Sequence, residues 1–246
     1  MRERVAPAAH PGLTSPGTDV VQTGNFIVLE GIEGSGKSTQ AAALADWLRA
    51  RGVSCLHTRE PGGTALGEEI RRLLLHGGAV PSIAELLLML AARATLLDEI
   101  VRPALAAGQL VIADRYSLST LAYQGHGRGL DLEQVRTAID FATGGLRPDV
   151  TVLLEVPRAV GEARRAASRP GEDRIERAGT EFHARVAEAY RLLAETEPGI
   201  VRVNGEGPVT AVAARIRAAL AGHFPETFAE RPGFTERERR VFGGNE

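Results

Sequence analysis

The sequence predicts an α/β domain: a parallel sheet with helices packed on both faces. Three observations carry that reading. Short apolar runs recur at Phe26–Glu30, 53–58, Leu110–Asp114, Val150–Glu155 and Ile200–Asn204. Four of these five are nearly continuous in apolar residues, as parallel strands buried on both faces must be. The stretches between them have helical periodicity, so strand and helix alternate as they do in right-handed crossovers.

The first run ends at Glu30 and enters Gly31-Ile32-Glu33-Gly34-Ser35-Gly36-Lys37-Ser38, which satisfies G-x-x-x-x-G-K-[ST]. A helix-forming run rich in alanine follows over 39–51. Strand, glycine loop and helix in that order form a cradle for the phosphates of a nucleoside triphosphate. Glycines let backbone N–H groups converge on phosphate oxygens, and the helix adds its positive end. In such a loop Lys37 reaches the β- and γ-phosphates and the Ser38 hydroxyl ligates Mg2+. Of the 29 basic residues, every one is arginine except Lys37. A compact ammonium is retained where a planar guanidinium would not fit.

The second strand leads into Thr58-Arg59-Glu60-Pro61-Gly62-Gly63. Strand ends in doubly wound sheets face the binding crevice, and a Pro-Gly-Gly turn brings backbone close to a ligand. Arg59 there suits bidentate contact with a monophosphate, although a solvated turn arginine has the same local sequence. Helical spacing then places Ile83, Leu86, Leu87, Leu90, Ala94 and Leu97 on one apolar face. The third strand closes on Asp114-Arg115-Tyr116, a carboxylate positioned for Mg2+ and its waters with an arginine aimed into the same crevice. After the fourth strand, the segment 158–177 holds six arginines broken by glycine and proline. It reads as a mobile lid that neutralises charge over the triphosphate. A second helical stripe (Phe182, Val186, Ala189, Leu193) precedes the fifth strand. Residues 1–24 lack periodicity and read as a disordered extension, and 222–246 as a charged tail flanking a domain at 25–221.

Several classes are excluded. Neither N-K-x-D nor D-x-x-G occurs, so the usual GTPase elements are missing, and no L-S-G-G-Q helix start marks a transporter ATPase. Net charge is −2, giving no basic excess to advertise nucleic acid. No apolar run is long enough to span a bilayer, and the scattered histidines give no zinc-ligand spacing. The single cysteine, Cys55, fits a reducing cytoplasm.

These motifs in this order resemble bacterial thymidylate kinase, which phosphorylates dTMP with ATP. The resemblance covers about residues 25–220 and includes TREPGG from Thr58, Ala91-Ala92-Arg93, DRY-x-x-S-T-x-A-Y-Q from Asp114, Arg147-Pro148-Asp149 and Asp173-Arg174-Ile175-Glu176. It implies a three-layer P-loop NTPase fold with a five-stranded parallel sheet, a mobile arginine-rich lid, and a homodimer. It implies that Arg59 and Arg115 hold the dTMP phosphate, that Arg93 bonds the thymine carbonyl, and that Thr120 and Gln124 also touch substrate. Glu33 would sit near the 3′-hydroxyl and the metal, and Tyr123 would exclude a 2′-hydroxyl. The P-loop carries Glu33-Gly34 where one branch of the family has an arginine. The transfer charge is then expected from Arg164, Arg165, Arg169 or Arg174 of the lid, with Arg115 and Lys37. The chain departs from the pattern at Met89, where the family usually stacks a phenylalanine on thymine, so looser base discrimination is expected. The lid is about one residue longer than the common spacing. Kinases for other nucleoside monophosphates or deoxynucleosides, and a non-catalytic ATP-binding module, are the alternatives. Paired phosphate-clamping arginines favour a monophosphate acceptor over a nucleoside.

Overall fold

The computed structural model describes residues 24–168 and 173–228. Five parallel strands form one sheet: β1 (Phe26–Glu30), β2 (Cys55–Arg59), β3 (Leu110–Asp114), β4 (Val150–Glu155) and β5 (Ile200–Asn204). Their spatial order is β2-β3-β1-β4-β5, which puts β1 at the centre. The second strand begins at Cys55 rather than at residue 53, because the Val53 N–H turns back to the Leu48 carbonyl and finishes the preceding helix. In register, Leu29 lies beside Asp114 and Arg59 beside Asp114 on the other edge of β3. The carboxyl ends of β1, β2 and β3 therefore finish level with one another, and the chemistry-bearing loops leave from one rim.

The central strands are apolar throughout because both faces are covered. Ile27, Leu29, Ile112, Val152 and Leu154 face helix α1 (Lys37–Ala50) and helix α9 (Val209–Ala221). Phe26, Val28, Val111 and Ala113 face the opposite layer. That layer contains α3 (Ser82–Leu96), α5 (Ser117–Thr120), α6 (Leu132–Thr143) and α8 (Thr180–Thr196). The remaining helices are α2 (Ala65–His76), α4 (Arg102–Ala106), α7 (Arg158–Ser168) and α10 (Pro225–Phe228). Both α3 and α5 continue into π-helical segments, Leu97–Val101 and Leu121–Gly127.

Two expectations change. The apolar stripe of α3 is split: Leu86, Leu90 and Leu97 are buried, whereas Ile83 and Leu87 stay exposed at 65% and 59%. The inward face is instead completed by two charged residues, Glu85 and Arg93, exposed by only 1% and 0%. The start of the charged tail, residues 222–228, packs on the domain: Phe228 is buried and stacks on Trp47 of α1 at 5.6 Å. The rest of that segment, and the N-terminal extension apart from Gly24, lie outside the described residues.

Candidate active site

The loop between β1 and α1 is shaped by glycine where other residues would not fit. Gly36 caps α1 with φ of 98° and no side-chain cap, which leaves the first N–H groups of the helix for a ligand. Gly34 (φ 73°) meets Gly161 of α7, and a Cβ on Gly161 would come within 2.6 Å of the Glu33 carbonyl. The start of α7 is thus pressed against the phosphate loop. Lys37 is buried, and its Nζ donates to the Ile32 carbonyl at 2.8 Å. Burial, followed by the nearby Arg115 charge, lowers its pKa from 10.5 to about 8.

Ser38 donates its hydroxyl to Asp114 Oδ2 across the gap between α1 and β3. The other carboxylate oxygen, Oδ1, is buried and has no partner. A hydroxyl and an orphaned carboxylate oxygen make an oxygen-only donor set that suits Mg2+, which binds proteins through one or two such groups beside substrate phosphates. Among the described residues no cluster of three or more His, Cys, Asp or Glu forms a self-sufficient metal cage.

A cavity of about 1010 Å³ runs from this loop to Arg59, Arg71, Met89, Arg115 and Gln124. Arg115 holds a left-handed backbone, φ 76°, which a non-glycine residue adopts only when its surroundings compel it. The compulsion comes from Glu30, fully buried at the end of β1. It accepts from the Tyr116 and Ser119 N–H groups at 2.8 and 3.0 Å. It also accepts from the Ser119 hydroxyl at 2.7 Å and the Tyr190 hydroxyl at 2.8 Å. The Arg115 guanidinium donates to three hydroxyls, those of Ser119, Tyr190 and Tyr123. Burial opposes its charge, but the surrounding tyrosines and acidic groups raise its pKa well above the ordinary value, so it stays cationic.

The other predicted residues, Arg169 apart, each have a definite place. Arg59 is half-exposed and pairs with Glu68 at 3.0 Å. Arg93 is fully buried between Glu60 (2.7 Å) and the Thr120 hydroxyl (2.9 Å), and its Nη1 has no partner. Burial pushes the Glu60 carboxyl up, and Arg93 opposes that. Met89 packs beside Leu88, Ile70 and Leu74 and lines the cavity. Tyr123 lies edge-on to Phe182 and Tyr190. Glu33 faces Arg165 at 3.4 Å, and Arg164 donates to the Gly205 carbonyl beside the phosphate loop. Arg169 lies outside the described residues. Arg174, expected over the phosphates, is instead bonded to Glu85 at 2.7 Å and to the Leu74 carbonyl.

The family model for thymidylate kinase matches residues 29–216. The chain belongs to the thymidylate kinase family. A thymidylate kinase of Synechococcus sp. (strain JA-2-3B'a(2-13)) is 50% identical over 207 residues, covering 84% of this chain and 98% of the relative. Another, from Synechococcus sp. (strain JA-3-3Ab), is 53% identical over 192 residues, 78% and 92% of the two chains. The thymidylate kinase of Leifsonia xyli subsp. xyli (strain CTCB07) is 47% identical over 200 residues, 81% and 95% of the two chains.

Sequence reasoning about this thymidylate kinase family member passed over Glu30, Glu60, Glu85, Arg71 and Tyr190. Glu30 had a signal, a carboxylate closing an otherwise apolar central strand. Tyr190 had one too, since it follows Val186 by four residues on the buried face of α8. Arg71 donates to the Pro61 carbonyl and lines the cavity, and no motif distinguishes it from the adjacent Arg72.

Phosphate oxygens placed against Lys37 restore its pKa, so binding ATP takes up a proton above about pH 8. Calorimetric titration of ATP from pH 7 to 9.5 is expected to show constant affinity below about 8, then weakening by up to about tenfold per pH unit. A flat profile would contradict the burial and charge environment described for Lys37.

Proposed function

We propose that the chain transfers the γ-phosphoryl group of ATP to the phosphate of dTMP, yielding ADP and dTDP. The supporting observation is that the phosphate loop and the arginine-bearing ends of β2 and β3 line one cavity. ATP is assigned to Gly31–Ser38, and dTMP to Arg59, Met89, Arg93, Arg115, Thr120, Tyr123 and Gln124, with Glu33 between the two. The acceptor phosphate is already anionic at neutral pH, so no strong general base is required. Catalysis rests on alignment and on neutralising charge. Lys37 and Arg115 supply that charge from the floor of the cavity, and Arg164 and Arg165 from the lid helix. Arg169 is the remaining lid candidate, since Arg174 is held by Glu85 and the Leu74 carbonyl. Ser38 and Asp114, the latter directly or through water, would hold Mg2+, which would supply positive charge against the phosphates. No described helix is long and apolar enough to cross a membrane, and the proposed setting is the cytoplasm.

A second copy of the chain is the proposed partner. Phe141 on α6 is 91% exposed and, with the exposed Leu87 of α3, borders an apolar groove between those helices. Paired apolar faces of this kind suit a two-fold interface. Sedimentation of the full chain is expected to give a dimer that Phe141→Glu converts to monomer; a monomeric wild type would refute the assignment.

Incubating the protein with ATP, Mg2+ and separate nucleoside monophosphates tests the activity through ADP release. Turnover is expected with dTMP and, for Arg164→Ala, a kcat lowered by about 10² or more with KM changed far less. Absence of ADP release with dTMP, alongside release with another monophosphate, would assign a different acceptor.

A further inference from the structure

The phosphate-transfer geometry leaves one buried acidic group without a role. Glu85 sits on α3 and is only 1% exposed, yet it receives four hydrogen bonds from three side chains. Gln124 Nε2 donates to Oε1 at 2.9 Å. Arg128 donates from Nε at 3.1 Å and from Nη2 at 3.0 Å, and Arg174 from Nη2 at 2.7 Å. Burial would push the Glu85 carboxyl up, but the hydrogen bonds from Arg128, Gln124 and Arg174 outweigh it and hold the pKa below the usual value. An ionised carboxylate only accepts hydrogen bonds.

That chemistry removes a freedom that a glutamine otherwise has. A primary amide presents NH2 or C=O with equal ease, and only its partners decide which. With NH2 required by Glu85, the Gln124 carbonyl must point the other way. Its Oε1 is buried without a partner, and the residue lines the cavity beside Met89. Glu85, Met89 and Arg93 follow one another at i, i+4 and i+8 on the same face of α3. Arg93 is bonded to Thr120, one helical turn before Gln124, and its Nη1 is a buried donor without a partner. The seam between α3 and the 120–124 segment thus carries an unsatisfied acceptor at one end and an unsatisfied donor at the other.

We propose that Glu85 is a positioning residue for base selection: by holding the Gln124 amide NH2, it turns the Gln124 carbonyl to the cavity, where it accepts an N–H from the pyrimidine ring. The inference rests on the nucleotide reading above and names what the site rejects. Thymine and uracil carry N–H at ring position 3 beside the O4 acceptor, matching acceptor and donor in turn. Cytosine carries a lone pair at that nitrogen beside an amino donor, the reverse pattern. Two acceptors face each other when cytosine enters, and Glu85 forbids the amide flip that would relieve them. Polar mismatches of this kind discriminate more strongly than a missing methyl group does.

The test compares kcat/KM for dTMP, dUMP and dCMP in wild type and in Glu85→Gln, with ATP and Mg2+ in excess. A glutamine at position 85 accepts or donates, so Gln124 becomes free to turn. The dCMP-to-dTMP ratio is expected to rise by about tenfold or more, while the dUMP-to-dTMP ratio stays within about twofold. A purely structural role lowers all three together and leaves both ratios unchanged, and that result overturns the inference. Should Glu85→Gln fail to melt cooperatively, the wild type is titrated with dTMP methylated at ring nitrogen 3. A Kd raised by about thirtyfold or more is expected, and a Kd equal to that of dTMP overturns the inference. A wild type that releases no ADP with dTMP defeats the functional reading itself, separately from either outcome.

Discussion

Four hydrogen bonds converge on the buried carboxylate of Glu30, and the alignment of the two halves of the cavity depends on them. Glu30 is the last residue of β1, so it is fixed to the same strand that launches the phosphate loop. Its partners, Tyr116, Ser119 and Tyr190, belong to the segment after β3 and to α8. One carboxylate therefore ties the triphosphate half to the residues around Arg115. The same contacts compensate the left-handed Arg115 backbone, which alone would cost roughly 1–3 kcal/mol. A further bond from the Arg115 N–H to the Leu29 carbonyl, 3.0 Å, repeats the linkage one residue earlier.

Around that frame, the arginines of the cavity differ in how firmly they are held. Arg93 and Glu60 are exposed by 0% and 3%, and separating them would strand a charge in the interior. That pair can orient a base but cannot be exchanged for a ligand. Arg59 and Glu68 are 51% and 46% exposed, and pairs of that kind contribute about 0–1 kcal/mol. Arg59 can leave Glu68 for a phosphate at little cost. Among the described residues the Arg115 guanidinium donates to hydroxyls, not to a carboxylate, so its charge remains available to an incoming anion. Glu85, with Arg128 and Arg174, links the end of the lid segment to the base side of the cavity.

Much of this was legible in the sequence, for specific reasons. The strand at Phe26–Glu30 and the glycine pattern after it name both the sheet and the loop, because few other sequences satisfy both geometries. TREPGG and DRY placed Arg59, Asp114 and Arg115 on the rim, since parallel strands end together. Two other buried carboxylates were not legible. Glu60 and Glu85 look like surface residues until tertiary contacts supply Arg93, Arg128 and Arg174, which lie 33, 43 and 89 residues away. The α3 stripe misled for a related reason: periodicity identifies an apolar face but not whether this domain covers it, and Ile83 and Leu87 lie on the uncovered side. Arg174 shows that a charge-rich segment does not reveal which of its members turns toward which end of a cavity.

Uncoupling the two halves of the cavity at Glu30 is the sharpest test of this coupling. Calorimetric titration of Glu30→Gln with dTMP alone and with ATP alone, beside the wild type, measures each half separately. The coupling predicts dTMP affinity weakened by about tenfold or more and ATP affinity kept within about twofold, because the phosphate loop retains its own backbone while Arg115 loses its support. Unchanged dTMP affinity in a cooperatively folded Glu30→Gln protein would contradict it.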